Sequence, residues 1–157
     1  MRSYALLAAW SFLAGVGIPL IGVLNSGMAR ALGNPFAATA ALFLTALLAA
    51  SALTLAIHGA PAVGSIATAP ARSYLAGLLI GFYALSATVI IPRFGAGNFI
   101  AFILFAQLVT SALLDHFGLL GLPKRPIDAY RLVGMVLLIV GLIITQWSAL
   151  RNDMGSG

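Results

Sequence analysis

The chain has 157 residues, of which 62% are hydrophobic and only 7% charged; a soluble domain uses about 25% charged residues to cover its surface, so a water-facing globule is excluded. Cysteine is absent, which removes disulfides, thiolate metal sites and cysteine nucleophiles, and glutamate is absent too, leaving Asp115, Asp128 and Asp153 as the acids. The net charge of +5 comes from basic residues spread along the chain beside hydrophobic runs, which is the pattern of membrane edges and not of a nucleic-acid-binding face.

A spanning helix needs about 20 mostly apolar residues. Five runs qualify, and they are continuous, not alternating, so they read as helices and not as barrel strands. The first covers about Tyr4–Met28. Arg2 ahead of an apolar stretch resembles a signal peptide, but the stretch is longer than such a core and no soluble domain follows, so it reads as a spanning helix. Pro19, flanked by Gly15, Gly17 and Gly22, predicts a kink or loosening. Such a break either frees carbonyls toward a solute path, giving Pro19 a gating role, or simply fits the bundle. Asn25 lies near the end of this run. A polar group in lipid is costly, so Asn25 is a candidate solute ligand, the alternative being a bond to neighbouring backbone.

The second run covers about Pro35–Ile57, with Asn34 as cap and Pro35 in the first turn. A Gly-, Ala- and Pro-rich loop, His58–Arg72, follows. The third covers about Ser73–Ile91, with Pro92 as the stop. Gly77 and Gly81 share one face and suit close helix packing, within the chain or between chains. Tyr83, Ser86 and Thr88 are its polar residues. Tyr83 and Ser86 are candidate solute contacts, with ordinary packing as the alternative for the tyrosine.

The fourth run covers about Asn98–Leu114, with Asn98 as the expected cap. Gln107, Ser111 and Asp115 are spaced i, i+4, i+8 and form one stripe, with Thr110 beside it. Such a stripe must face protein or water. It is either a solute-facing wall or a line of interhelical hydrogen bonds. Asp115 is expected at the membrane edge, capping or pairing with Arg131 or Lys124. His116 follows it, but neighbours on a helix point about 100° apart and make no natural dyad. Asp115, His116 and Arg131 are therefore candidate edge or gate residues. The loop Phe117–Asp128 leads to the fifth run, about Ala129–Ala149, where Asp128 can cap and Ile127 can staple onto Leu132. Gly134 and Gly141, one heptad apart, are further packing positions. Gly155-Ser156-Gly157 reads as an expression scar. The expectation is an all-α polytopic membrane protein with a single five-helix domain over residues 1–154.

An odd number of crossings puts the termini on opposite faces. One face then holds Arg2, Arg72, Lys124, Arg125 and Arg131, and the other Arg30, Arg93 and Arg151. That bias is weak and is compatible with insertion in both orientations. Ser26, Ser86 and Ser111 have no evident base, and no paired carboxylates, zinc-protease, nucleophile-elbow or phosphate-loop pattern occurs. No enzyme, cofactor or metal is expected. The absence of a mid-helix carboxylate argues against a central acidic cation site and leaves neutral or anionic solutes open.

Several segments carry a resemblance. They are Pro19-Leu-Ile-Gly-Val-Leu-Asn25 with Ala31-Leu-Gly-Asn-Pro35, Pro92-Arg-Phe-Gly-Ala-Gly97, Ala106-Gln107, Leu114-Asp-His-Phe-Gly-Leu-Leu-Gly121 and Arg131-Leu-Val-Gly134. Over nearly its whole length the chain resembles the YdcZ-like inner-membrane family of the bacterial drug/metabolite transporter superfamily. It departs at Ile21, where the family often has Gln, and at Ala106, where Gly is common. The resemblance implies one five-helix half of a ten-helix inverted-repeat transporter. Its partner would be an oppositely oriented copy or paralogue, with the solute near the interface. The resemblance implies small-solute transport, in the export direction by analogy, in the bacterial inner membrane, with Asn25, Tyr83 and Gln107 lining the path. A non-transporting scaffold and, further off, an intramembrane enzyme are the alternatives.

Overall fold

A computed structural model describes residues 2–59 and 68–155, with side chains described over residues 4–59 and 68–147. The middle of the His58–Arg72 loop and the last two residues of the expected scar lie outside the described residues. Among the described residues all regular structure is helical: α1 (Arg2–Leu32), α2 (Pro35–His58), α3 (Leu75–Phe94, preceded by a 3-10 turn over Ala71–Tyr74), α4 (Ala96–Phe117) and α5 (Ala129–Gly155). Each of the five contains a stretch long and apolar enough to cross a membrane.

The helix ends follow from local chemistry. Asn34 stands in extended backbone, and its Oδ1 accepts from the Phe36 and Ala37 amides, while Pro35 opens α2. Asp128 Oδ1 accepts from the Arg131 amide at 2.7 Å and caps α5. Gly33, between α1 and α2, has φ 64°, a left-handed turn that glycine adopts without strain.

Two expected boundaries move. Pro92 does not stop α3; the helix runs through it to Phe94 and ends where the amide of Gly95 (φ 85°) donates to the Ile91 carbonyl. Asn98 is not the cap of α4, because the helix already begins at Ala96 and Asn98 lies in its first turn. α1 likewise continues through Pro19 as far as Leu32.

The chain falls into two units, Met1–Ala96 and Gly97–Gly157. In the first, α1 packs on α2 and on α3, and α2 on α3. α1 and α3 come close at Gly22. A Cβ there would overlap Cδ1 of Ile91 and stand 3.5 Å from Cβ of Ala87, so the missing side chain is what lets α1 approach α3. At Gly77, Gly81, Gly134 and Gly141, the expected packing positions, the place of a Cβ is open. Among the described residues these glycines make no close approach, and an intermolecular role is the part of that expectation still available to them. The second unit is the helix pair α4 and α5 with its connecting loop.

Candidate functional site

In the first unit the buried polar side chains gather at one level. Alternate directions bring the end of α1, the start of α2 and the end of α3 to one side. Asn25 is seven residues from the end of α1, Thr39 four from the start of α2 and Thr88 six from the end of α3. At 1.5 Å per residue they lie about 6–10 Å inside the helix ends. All three are buried, as is Ser26, with exposures of 3% for Asn25, 8% for Thr39 and 2% each for Thr88 and Ser26.

The bonding within this node can be followed atom by atom. Ser26 Oγ lies 2.7 Å from the Gly22 carbonyl and 3.2 Å from the Thr88 carbonyl. The second contact has a cause in the sequence. Pro92 has no N–H, so the Thr88 carbonyl loses its helical donor, and Ser26 supplies one from α1. Thr88 Oγ1 donates to the Ala84 carbonyl at 2.7 Å, and Thr39 Oγ1 to the Pro35 carbonyl at 2.9 Å. With their single protons engaged, both hydroxyls can offer Asn25 only lone pairs. The amide must therefore turn its NH2 toward them, which fixes its orientation. Nδ2 donates to Thr88 Oγ1 at 2.6 Å and, more weakly, to Thr39 Oγ1 at 3.4 Å. Asn25 Oδ1 is left facing away, buried and without a hydrogen-bond partner. A buried acceptor in that state costs about 1–3 kcal/mol.

In the second unit the polar contacts stand at the two ends of the helix pair. Arg131 Nη2 donates to Asp115 Oδ2 at 2.7 Å, forming the expected ion pair. The Asp115 carbonyl accepts from the Arg125 amide at 2.7 Å, and His116 Nδ1 accepts from the Ile127 amide at 3.1 Å, so the connecting loop is folded back onto the end of α4. A ring nitrogen that accepts carries no proton, so neutral His116 holds its proton on Nε2. At the opposite end Gln146 Nε2 donates to Asn98 Oδ1 at 3.3 Å. Between these ties α4 and α5 border an apolar cleft of about 290 Å³, lined among others by Leu104, Phe105, Leu108, Leu138 and Gly141.

The expected solute residues thus divide. Asn25 enters the buried node. Tyr83 and Ser86 are half-buried on α3. Gln107 and Ser111 are exposed on α4, where Ser111 Oγ donates to the Leu108 carbonyl at 3.0 Å. Pro19 lies inside α1, and Asp115, His116 and Arg131 form the loop cluster. The sequence reading missed Thr39 as a partner of Asn25 and Ser26 as a partner of the Thr88 carbonyl, and it noted Thr88 only as one of the polar residues of its run. Among the described residues no three His, Asp or Glu side chains come together as a metal would need.

A family model described as "Putative inner membrane exporter, YdcZ" matches residues 6–144. The chain belongs to the YdcZ family. With its five apolar helices it is a multi-pass protein of the inner membrane, in a family described as exporters. No match is found among the curated proteins or among the solved structures.

Proposed function

We propose that the protein exports a small solute by alternating access, as a dimer of oppositely oriented subunits, the partner being a second copy or a paralogue. The observation that carries this reading is the buried Asn25 node, with its one unpartnered acceptor, inside largely apolar helices. Polar groups at membrane depth are costly, and one left with an unanswered acceptor is a candidate for a solute path. At 3% exposure Asn25 meets a solute only when α1 parts from α2 or α3, which is what an alternating cycle supplies.

Gln107 supports the dimer. It is exposed on a spanning helix and makes no hydrogen bond among the described residues. Lipid is a poor neighbour for a carboxamide, and a partner subunit would cover it. The near balance of edge charges, five against three, allows the partner to insert the other way up. Inverted halves put a solute site at their interface, and there Gln107, Ser111, Tyr83 and Ser86 would join Asn25.

The test is flux in proteoliposomes across a broad solute panel, comparing the unmodified chain with Asn25→Leu and Gln107→Ala, with tags at both termini reporting orientation. Loss of flux in both variants and tags on both faces are expected. Equal flux in all three proteins removes these residues from the path. A single orientation with no oppositely inserted paralogue ends the antiparallel dimer.

A further inference from the structure

We infer that the node of Asn25, Ser26, Thr39 and Thr88 is an acceptor-only site, so the solute it takes is an uncharged hydrogen-bond donor, bound through an N–H or O–H group to Asn25 Oδ1. This rests on the reading of Asn25 as a solute contact and narrows it to a chemical class.

The argument is a count of protons. The node has three hydroxyl protons and two amide protons. The Thr39 and Thr88 hydroxyls point theirs at the Pro35 and Ala84 carbonyls. Ser26 has two main-chain carbonyls in reach, of Gly22 and Thr88, and no other acceptor is needed to hold its proton. Both Asn25 N–H groups face threonine oxygens. Every donor is engaged, and the group left over is a carbonyl oxygen. An anion entering here would find lone pairs and no donor. A donor finds the buried side-chain oxygen that, among the described residues, lacks a partner, and removes the penalty it carries.

Charge separates neutral donors from cationic ones. No acidic residue occurs before Asp115, so the unit Met1–Ala96 holds no counter-charge for a cation. Its basic residues Arg30 and Arg93 stand in the last turns of α1 and α3, on the side nearest the node. An ammonium would enter against that field and leave water with nothing to pair with. Primary amides, alcohols and ureas meet both conditions.

The test uses the full chain in detergent micelles and four probes of one frame: acetamide, N-methylacetamide, N,N-dimethylacetamide and acetate. These carry two, one and no N–H groups, and a negative charge. The readout is the thermal unfolding midpoint as a function of probe concentration. Acetamide and N-methylacetamide should raise the midpoint saturably. Dimethylacetamide and acetate should need about ten- to hundredfold more for the same shift, and Asn25→Leu should abolish the response to all four. The ranking is read on the unmodified chain, so it stands even if the variant does not fold. Acetate or dimethylacetamide acting as well as acetamide overturns the inference, and so does an unchanged response in Asn25→Leu. No saturable shift from any probe also overturns it, since Oδ1 would then serve water alone. Donor-selective binding without flux in proteoliposomes supports the acceptor site while removing the exporter reading. Flux of an anion that ignores Asn25→Leu does the reverse.

Discussion

The two units of this chain handle polar groups in opposite ways. The first, Met1–Ala96, brings α1 close against α3 at Gly22 and places Asn25, Ser26, Thr39 and Thr88 inside, with exposures of 8% or less. The second ties two helices at their ends, through Asp115–Arg131 and Asn98–Gln146, and leaves an apolar cleft between the ties. In lipid, apolar side chains gain little by leaving the solvent, so close packing and interhelical hydrogen bonds do most of the work of association. The first unit uses both in one place. The second uses hydrogen bonds and an ion pair near the membrane edges, and its polar stripe at Gln107 and Ser111 faces outward. The contrast is between a unit closed by its own buried polar contacts and a unit whose polar stripe is exposed.

The sharpest way to break the contrast is to fill the contact that makes the first unit compact. Gly22→Leu puts a branched side chain where Ile91 and Ala87 already stand. We expect a loss of about 3 kcal/mol, read as a fall in the unfolding midpoint, because overpacking a close helix contact forces backbone shifts. Ile91→Ala in the same chain makes room and should restore part of it, with a coupling of about 1–2 kcal/mol in the double-mutant cycle. Additive effects of the two changes would mean that α1 and α3 do not meet there. The matching change at Gly141, where the place of a Cβ is open, should cost little within one chain.

Next in size are two changes at the node that look alike and should behave differently. Thr88→Val removes the 2.6 Å acceptor of Asn25 and leaves a buried N–H unanswered. It should cost about 1–2 kcal/mol. Asn25→Leu removes the amide together with its unpartnered oxygen, and both threonine hydroxyls keep their main-chain acceptors. Its stability should stay within about 1 kcal/mol of the unmodified chain, although transport is lost. If Asn25→Leu destabilised more than Thr88→Val, the amide would be a structural member of the core and not a site.

How far this was legible in the sequence differs between the units as well. The five spans and the caps at Asn34 and Asp128 follow from run length and residue type, because lipid permits few other solutions. The Asp115–Arg131 pair was open to prediction because few charges exist and both sit at helix ends. The Asn25 node was half legible. Measured from the helix ends, Asn25, Thr39 and Thr88 fall at similar depths, and that could have been counted. What hid the node was Pro92. Taken as a stop, it separated Thr88 from any role. Taken as a missing N–H inside a continuing helix, it frees the Thr88 carbonyl that Ser26 meets. The glycine pattern misled for a different reason. Spacing places Gly77 and Gly81 on one face, but spacing does not say that another helix lies against that face, whereas Gly22 had been noted only as a neighbour of Pro19.

Smaller effects belong to the second unit. Arg131→Gln breaks an ion pair whose side chains are 37% and 28% exposed. Solvent screening limits it to about 0.5 kcal/mol, and raised salt should shrink the difference between variant and unmodified chain. The folded-back loop should survive, because the Arg125 and Ile127 amides hold the end of α4 without the guanidinium.

Gln146→Leu should do least. Its bond to Asn98 is 3.3 Å long, at the weak end for an N–H donor, and interhelical bonds in membranes average about 0.6 kcal/mol. The informative measurement is the double variant with Arg131→Gln. Along α5 residues 131 and 146 lie about 22 Å apart, well beyond the range at which separate changes usually interact. If the cleft between the ties is a place where nothing in the chain is packed, the two losses should add to within about 0.5 kcal/mol. A larger combined loss would mean that the helix pair acts as one cooperative body. Additivity in a single chain that gave way to strong coupling in a covalently linked dimer would show the partner subunit supplying the packing that α4 and α5 lack on their own.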